Sequence, residues 1–202
     1  MLAERIISGA LEPGAKLRQD HLAEEFGTSH VPVREAFRLL EAQGLAVSEA
    51  RRGVRVASFT SAEIEEVTHM RSVLEGLALR HAAPHLTNHI LNQAEEITRA
   101  GDRAVSINQQ EEANRQFHSL LLAPCNMPRL LSQIDDLHKV GSRLIYLDKR
   151  TGWTPRVDLD HHAILHHLRA GNVEEAVRAL ERHVLRLIEK PMRSRASSPS
   201  VS

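Results

Sequence analysis

Histidine is the outlier in this chain, with thirteen among 202 residues, and a few of them stand at spacings that can build a metal site. Asn114 and His118 are four positions apart, one turn along the same helix face. His161 lies about nine residues before the breaker Ala170-Gly171-Asn172, and His183 about eleven after it. An antiparallel hairpin turning there, rising about 1.5 Å per residue, brings both rings to a similar height. Three imidazoles and an amide oxygen converging inside a bundle suit a divalent transition metal, with positions left for water or a ligand. The same spacing also suits buried, hydrogen-bonded polar groups, and at this stage both readings stay open. His162 sits about 100° around the helix from His161. His166 and His167 are expected at the surface or a pocket rim, and His69, His81, His85, His89 and His138 in solvent. Cys125 reads as a small packed hydrophobe.

A second group suits nucleic acid. Ser29, His30, Arg34 and Arg38 lie at the start and along the outer face of a short helix. Its N-terminal end offers small polar groups and free N–H donors to phosphates. Arg34 is placed for a bidentate contact with guanine O6 and N7 in the major groove. Arg51, Arg52 and Arg55 fall on a hairpin, where they meet the backbone or the minor groove. Residues 1–58 hold as many acidic as basic side chains, so the same arginines also fit solvated pairs with Glu35, Glu41 and Glu49. Pattern, rather than net charge, favours DNA.

These side chains need elements to hold them. Leu2, Ile6 and Ile7 mark a first helix ending at Gly9, and Pro13-Gly14 a turn. Leu22, Ala23 and Phe26 line a short helix closing at Gly27. Thr28-Ser29 is expected to supply a capping hydroxyl, with Pro32 in the following first turn. Val33, Phe37, Leu40 and Leu45 then face inward. After Gly44 the period shifts to two, through Leu45, Val47, Val54 and Val56, giving a two-stranded hairpin with Gly53 at its turn. Helix, short helix, turn, capped helix and hairpin make a winged helix-turn-helix.

From Ser61 onward the apolar spacing is helical almost throughout. About six helices are expected: Ala62 to Ala83 capped by Ser61, one capped by Thr87, Ser106 to Ala123, one carrying Leu130 to Leu144, one opened by Pro155, and Val173 to Lys190. The fold class is therefore mainly α, an N-terminal winged helix-turn-helix followed by an all-helical antiparallel bundle. The divisions expected are 1–58, 62–190 and a flexible Ser/Pro tail over 191–202.

Composition narrows the field. Hydrophobic residues are 42% and charged residues 26%, with 26 Lys+Arg against 26 Asp+Glu, so no surplus charge advertises a partner. Aromatics at 3% argue against base-stacking platforms. One cysteine excludes a disulfide framework and a multi-cysteine zinc module. No apolar run approaches the roughly 20 residues of a membrane span, and Met1 to Ala10 lacks a secretory pattern. A cytoplasmic protein without a membrane partner is expected.

At this point a resemblance becomes specific. The run Ile6-Ile7-Ser8-Gly9-Ala10-Leu11-Glu12-Pro13-Gly14-Ala15-Lys16-Leu17 is similar to the opening of the GntR family of bacterial transcription regulators. Leu22-Ala23-Glu24-Glu25-Phe26-Gly27-Thr28-Ser29, Pro32-Val33-Arg34-Glu35-Ala36, Leu39 to Leu45 and the Arg52-Gly53 tip extend it. The usual Arg-Thr pair after the serine is His30-Val31 here, which alters a base or phosphate contact. The helical region resembles the FCD ligand-binding domain, through Arg71 to Glu75, Asn114 to His118, Asn126 to Leu130, Asp160-His161, Ile164-Leu165, Leu168, Ala176, Leu180 and His183.

The resemblance implies that Asn114, His118, His161 and His183 hold a divalent metal, with Asn114 in place of the family's aspartate; an imidazole-rich site with one oxygen ligand suits zinc or nickel, and equally copper or iron. It implies a small carboxylate effector, met by Arg71 and Arg143, although Arg71 also suits an ordinary ion pair with Glu75. It further implies a non-enzymatic homodimer on double-stranded operator DNA whose affinity the effector controls. The alternatives are a constitutive DNA-binding protein with a purely structural bundle, and a metal-dependent hydrolase. The hydrolase lacks a carboxylate at an obvious general-base position.

Overall fold

Glycines and prolines cut the first part of the chain into short pieces, and the pieces share one apolar core. The computed structural model describes residues 2–50, 52–58, 60–149, 154 and 156–189, the side chains of 61, 143–149 and 189 excepted. Helix α1 spans Leu2–Ile7, α2 Gln19–Glu25 and α3 His30–Ala42. Val33, Phe37 and Leu40 recur at the helical period in α3 and are buried. They pack with Ile6, Leu22, Leu45 and Val56.

The wing has three strands rather than the expected two. Strand β2 (Ala46–Glu49) pairs antiparallel with β3 (Gly53–Val56), with Gly53 in the left-handed region at φ 81°. The two-residue β1 (Lys16–Leu17) joins the other side of β3, giving the order β1-β3-β2. Two residues are too few to show a period of two, and β1 forms because β3 offers it a free edge. Ser29 stands at the N-cap of α3, but its side chain makes no capping bond.

Six longer helices follow among the described residues. Helix α4 spans Ser61–Ala82, α5 Asn88–Asp102, α6 Ile107–Leu122, α7 Pro128–Lys149, α8 Leu159–Arg169 and α9 Val173–Glu189. Two boundaries differ from expectation. Thr60, not Ser61, caps α4, in a reciprocal capping box with Glu63. Helix α8 starts at Leu159 because the Asp158 carboxylate accepts the N–H groups of Asp160 and His161, an anionic cap placed later than Pro155. Leu79, Phe117, Leu121, Ile164, Val177 and Leu180 form the bundle core. Helix α4 runs along α9 and α7, α5 along α6, and α8 along α9. Gly171, at φ 74°, ends α8 and turns the chain back into α9. Helix α1 of the winged part lies against α7. Arg51, Pro155 and the 191–202 tail lie outside the described residues.

Thr60 closes the first turn of the helix that carries the bundle's buried charges. Thr60→Ala is expected to lower stability by about 1 kcal/mol, read as a lower urea midpoint with an unchanged slope. An unchanged midpoint would show that the capping box adds nothing.

Candidate metal centre and nucleic-acid interface

Three of the four side chains singled out by spacing meet inside the bundle. Ring nitrogens of His118 from α6, His161 from α8 and His183 from α9 all lie within 4.8 Å of one another. His118 and His161 are buried, and His183 is half-buried. The Nε2 atoms of His161 and His183 are 3.2 Å apart. Two imidazole nitrogens about 2.0–2.1 Å from a tetrahedral ion stand about 3.3 Å apart, so the pair already has the separation that two ligands need. Phe117 stacks on His161 with ring centres 3.8 Å apart, which fixes that ring's plane.

Carboxylates orient two of the rings. His118 Nδ1 donates to Glu75 Oε2 at 2.6 Å, which leaves Nε2 with its lone pair. That Nε2 is buried without a hydrogen-bond partner among the described residues. Glu75 accepts in turn from Arg71, at 2.9 Å from Nε and 2.8 Å from Nη2. Arg71 and Glu75 are both buried, so this is an interior ion pair and not the ordinary helix-surface pair considered above. Desolvation opposes ionisation of Glu75, yet the charge of Arg71 and the hydrogen bond from His118 hold its carboxyl well below the usual carboxylate range. His183 Nδ1 faces Asp160 Oδ2 at 3.4 Å, and the hydrogen bond from His183 lowers the Asp160 pKa. A buried, partnerless ring nitrogen and rings oriented by carboxylates are what an imidazole-rich metal site requires. The residues present therefore fit a borderline transition metal.

Asn114 lies one turn before His118 on α6, half-buried, and its amide nitrogen donates to Glu111 Oε1 at 3.4 Å. Ser142 Oγ donates to the same oxygen at 2.5 Å and lies 3.1 Å from His138 Nδ1. His138 is 4% exposed, which corrects its expected place in solvent. It follows Ile134 by four residues and Leu131 by seven, so it shares the inward face of α7 with them. Burial pushes the His138 and His161 imidazoles well below the usual histidine range, and burial also lowers His118 against the pull of Glu75. His162 turns away from the cluster, its Nε2 2.8 Å from Asp102 Oδ2. Arg143 belongs to α7, but its side chain lies outside the described residues.

The outer face of α3 carries the nucleic-acid candidates. Ser29, His30, Val31, Arg34 and Arg38 are exposed. His30 Nδ1 stands 3.3 Å from Asp20 Oδ1, and Arg38 Nη1 2.9 Å from Glu35 Oε1. On the wing, Arg55 Nε is 3.3 Å from Glu49 Oε2, and Arg52 reaches the same oxygen at 3.8 Å. The pairs on α3 are exposed, contribute little and exchange readily for phosphate, whereas the Glu49 Oε2 reached by Arg55 and Arg52 is itself buried.

Residues 1–56 match the model of bacterial regulatory proteins of the gntR family, and residues 66–186 match the FCD domain. The chain belongs to the GntR family, in the branch with an FCD domain. It is 32% identical over 192 residues to a probable D-xylose utilization operon transcriptional repressor of Paenarthrobacter nicotinovorans, covering 89% of this chain and 80% of the relative. It is 29% identical to the HTH-type transcriptional regulator YdhC of Bacillus subtilis (strain 168), covering 91% and 83%. The solved structure of Escherichia coli McbR/YncC superposes with a TM-score of 0.80 at 24% identity, covering 93% of each chain, a likeness of fold. This GntR-family chain is a DNA-binding transcription regulator. No helix among the described residues is long and apolar enough to cross a membrane.

Four residues at the GntR chain's centre went unnoticed as a set: Glu75, Glu111, His138 and Ser142. Each had a signal in helical spacing. Glu75 follows Arg71 by four, Ser142 follows His138 by four, and Glu111 precedes His118 by seven.

Buried neutral rings make stability depend on pH. His118, His138 and His161 hold protons less tightly folded than unfolded, where histidine titrates near about 6.5. As pH falls below that value the unfolded chain takes up protons first, and stability declines. The metal-free protein is expected to lose up to about 1.4 kcal/mol per pH unit for each such ring, measured by urea unfolding between pH 7.5 and 5.5 with chelator. A flat profile would show that the rings are not held neutral inside.

Proposed function

We propose that this regulator binds a divalent transition metal, zinc or nickel, through Asn114, His118, His161 and His183, and that a small carboxylate effector bound there controls its affinity for operator DNA. The observation that carries this reading is the convergence of three imidazoles around a buried His118 Nε2 that has no partner among the described residues. Neutral imidazole with one oxygen ligand suits either metal. When bound, the ion supplies open coordination positions for an effector oxygen, and Arg71 and Arg143 are the proposed partners of a carboxylate.

In this reading residues 1–58 bind DNA and residues 62–190 sense the effector, inside the cytoplasm. A homodimer presents two α3 helices to the two halves of a pseudo-palindromic operator. Ser29, His30, Arg34 and Arg38 meet the major groove, while Arg51 and Arg52 reach the flanking backbone or the minor groove. The contact of α7 with α1 offers a route between the two parts. An effector seated beside α7 shifts the dimer only insofar as it binds one arrangement better than another.

The variant His161→Ala/His183→Ala is expected to lose stoichiometric metal while retaining helical content, measured by elemental analysis and circular dichroism. Full metal occupancy in that variant would place the ion elsewhere. Arg34→Ala is expected to lose about 1–3 kcal/mol of operator affinity with an unchanged thermal midpoint. Operator affinity equal to wild type in a fluorescence anisotropy titration would remove Arg34 from the reading surface.

A further inference from the structure

The proposed reading surface uses polar and charged side chains of α3 and leaves an outward apolar one unused. Val31 is 56% exposed, in the first turn of a helix whose Val33, Phe37 and Leu40 are buried. At about 100° per residue, Val31, Arg34, Glu35 and Arg38 stand at i, i+3, i+4 and i+7 and share the face opposite that core. All four are exposed. A single valine in water is ordinary. This one stands in line with two arginines at the N-terminal end of the second helix of a helix-turn-helix, the end that contacts base edges.

The turn that carries Val31 is anchored to α2. Gln19 Nε2 donates to the His30 carbonyl at 3.2 Å, and His30 Nδ1 stands 3.3 Å from Asp20 Oδ1. Pro32 follows, with its φ fixed by the ring. Val31 is branched at Cβ and has little χ1 freedom in a helix. Its two methyls are therefore presented at a set place, with little entropy to lose on contact.

Valine neither donates nor accepts a hydrogen bond. Set against a cytosine amino group, or the N7 and O6 of guanine, it would strip water and return nothing. The apolar group in the major-groove pattern is the C5 methyl of thymine. Basic and acidic side chains balance in residues 1–58, so attraction to phosphate is weak and contacts with bases weigh more in the choice of site.

We infer that Val31 is a specificity-determining residue, whose methyls pack on the C5 methyl of a thymine in the operator. This inference rests on the proposed docking of α3 in the major groove, and it adds to that docking a base read by apolar contact.

The test starts from a duplex selected out of a random-sequence pool by the full-length wild-type protein. Each thymine is then replaced singly by deoxyuridine, which removes the C5 methyl and leaves every hydrogen-bonding group in place. Fluorescence anisotropy is expected to find at least one thymine whose replacement weakens wild-type binding about fourfold, the contribution of one buried methyl. In Val31→Ala the ratio between the thymine and uracil duplexes is expected to fall towards one, with an unchanged thermal midpoint. Val31→Ile keeps the branched apolar surface and is expected to keep the ratio. A pool selection repeated with Val31→Ala is expected to relax the preference for thymine at that position and to preserve the rest of the sequence.

Two failures are distinct. Where Arg34→Ala weakens binding to the selected duplex, the absence of a uracil-sensitive thymine in the wild type, or a ratio undiminished in Val31→Ala, overturns the role of Val31 and leaves the docking of α3 standing. Where Arg34→Ala and Val31→Ala both bind the selected duplex as tightly as wild type, the docking of α3 falls together with the role of Val31.

Discussion

The Arg71–Glu75–His118 chain is the constraint around which the bundle is arranged. A lone carboxylate in an apolar interior is costly to desolvate, and Glu75 is fully buried. It is tolerated because the Arg71 guanidinium sits beside it on the same helix and because His118, arriving from α6, gives it a short hydrogen bond. Removing one member of such a set leaves an uncompensated charge and costs about 3–5 kcal/mol. The cation and the anion cancel locally, which leaves the neighbouring imidazoles under little pressure to protonate. Neutral rings keep their lone pairs, and lone pairs are what a metal needs. The same arrangement dictates details of packing. A side chain at Gly141 would stand 2.8 Å from Arg71 Nη1, so α7 passes the arginine with glycine at that level.

The fold then has one remaining task, to bring rings from distant stretches to the same depth. Helix α6 supplies His118 between Phe117 and Leu121, both fully buried. The Gly171 turn sets His161 and His183 opposite each other on α8 and α9, and Asp158 and Asp160 at the start of α8 hold that end in place. Asp102, at the end of α5, accepts from the Asp158 backbone N–H at 2.8 Å and also faces His162. The histidine beside the cluster thus ties helices together while its neighbour points inward, a division that follows from the 100° step of the helix.

Much of this was legible in the residues. The Asn114–His118 spacing and the distances of His161 and His183 from the Gly171 turn carried real geometric content, because straight helices and a tight turn leave little freedom. The helix count from Ser61 onward held among the described residues for the same reason. The misses at the centre of the bundle share one cause. His138, Glu75 and Ser142 are polar residues on inward faces, and a reading that assigns polar side chains to water misplaces them. Their spacing to Ile134, Leu79 and His138 was the available signal, but it needed the knowledge that a buried anion already occupied the centre. Strand β1 was missed because pairing, not propensity, makes it, and Ser29 was misread because an N-cap position does not oblige its hydroxyl to bond inward.

The winged part raises a different physical question, since its basic and acidic side chains balance. Nonspecific attraction to phosphate grows with net positive charge, and here that contribution is small. Arg38 and Arg55 are engaged with Glu35 and Glu49, so docking on DNA exchanges one set of contacts for another. Affinity built this way depends on many groups meeting their partners at once and, in the proposed dimer, on two copies of α3 keeping the spacing of the operator halves. In the proposed reading, a displacement at the α1–α7 contact spoils register at one half-site, and the effector drives it only through its preference for one arrangement.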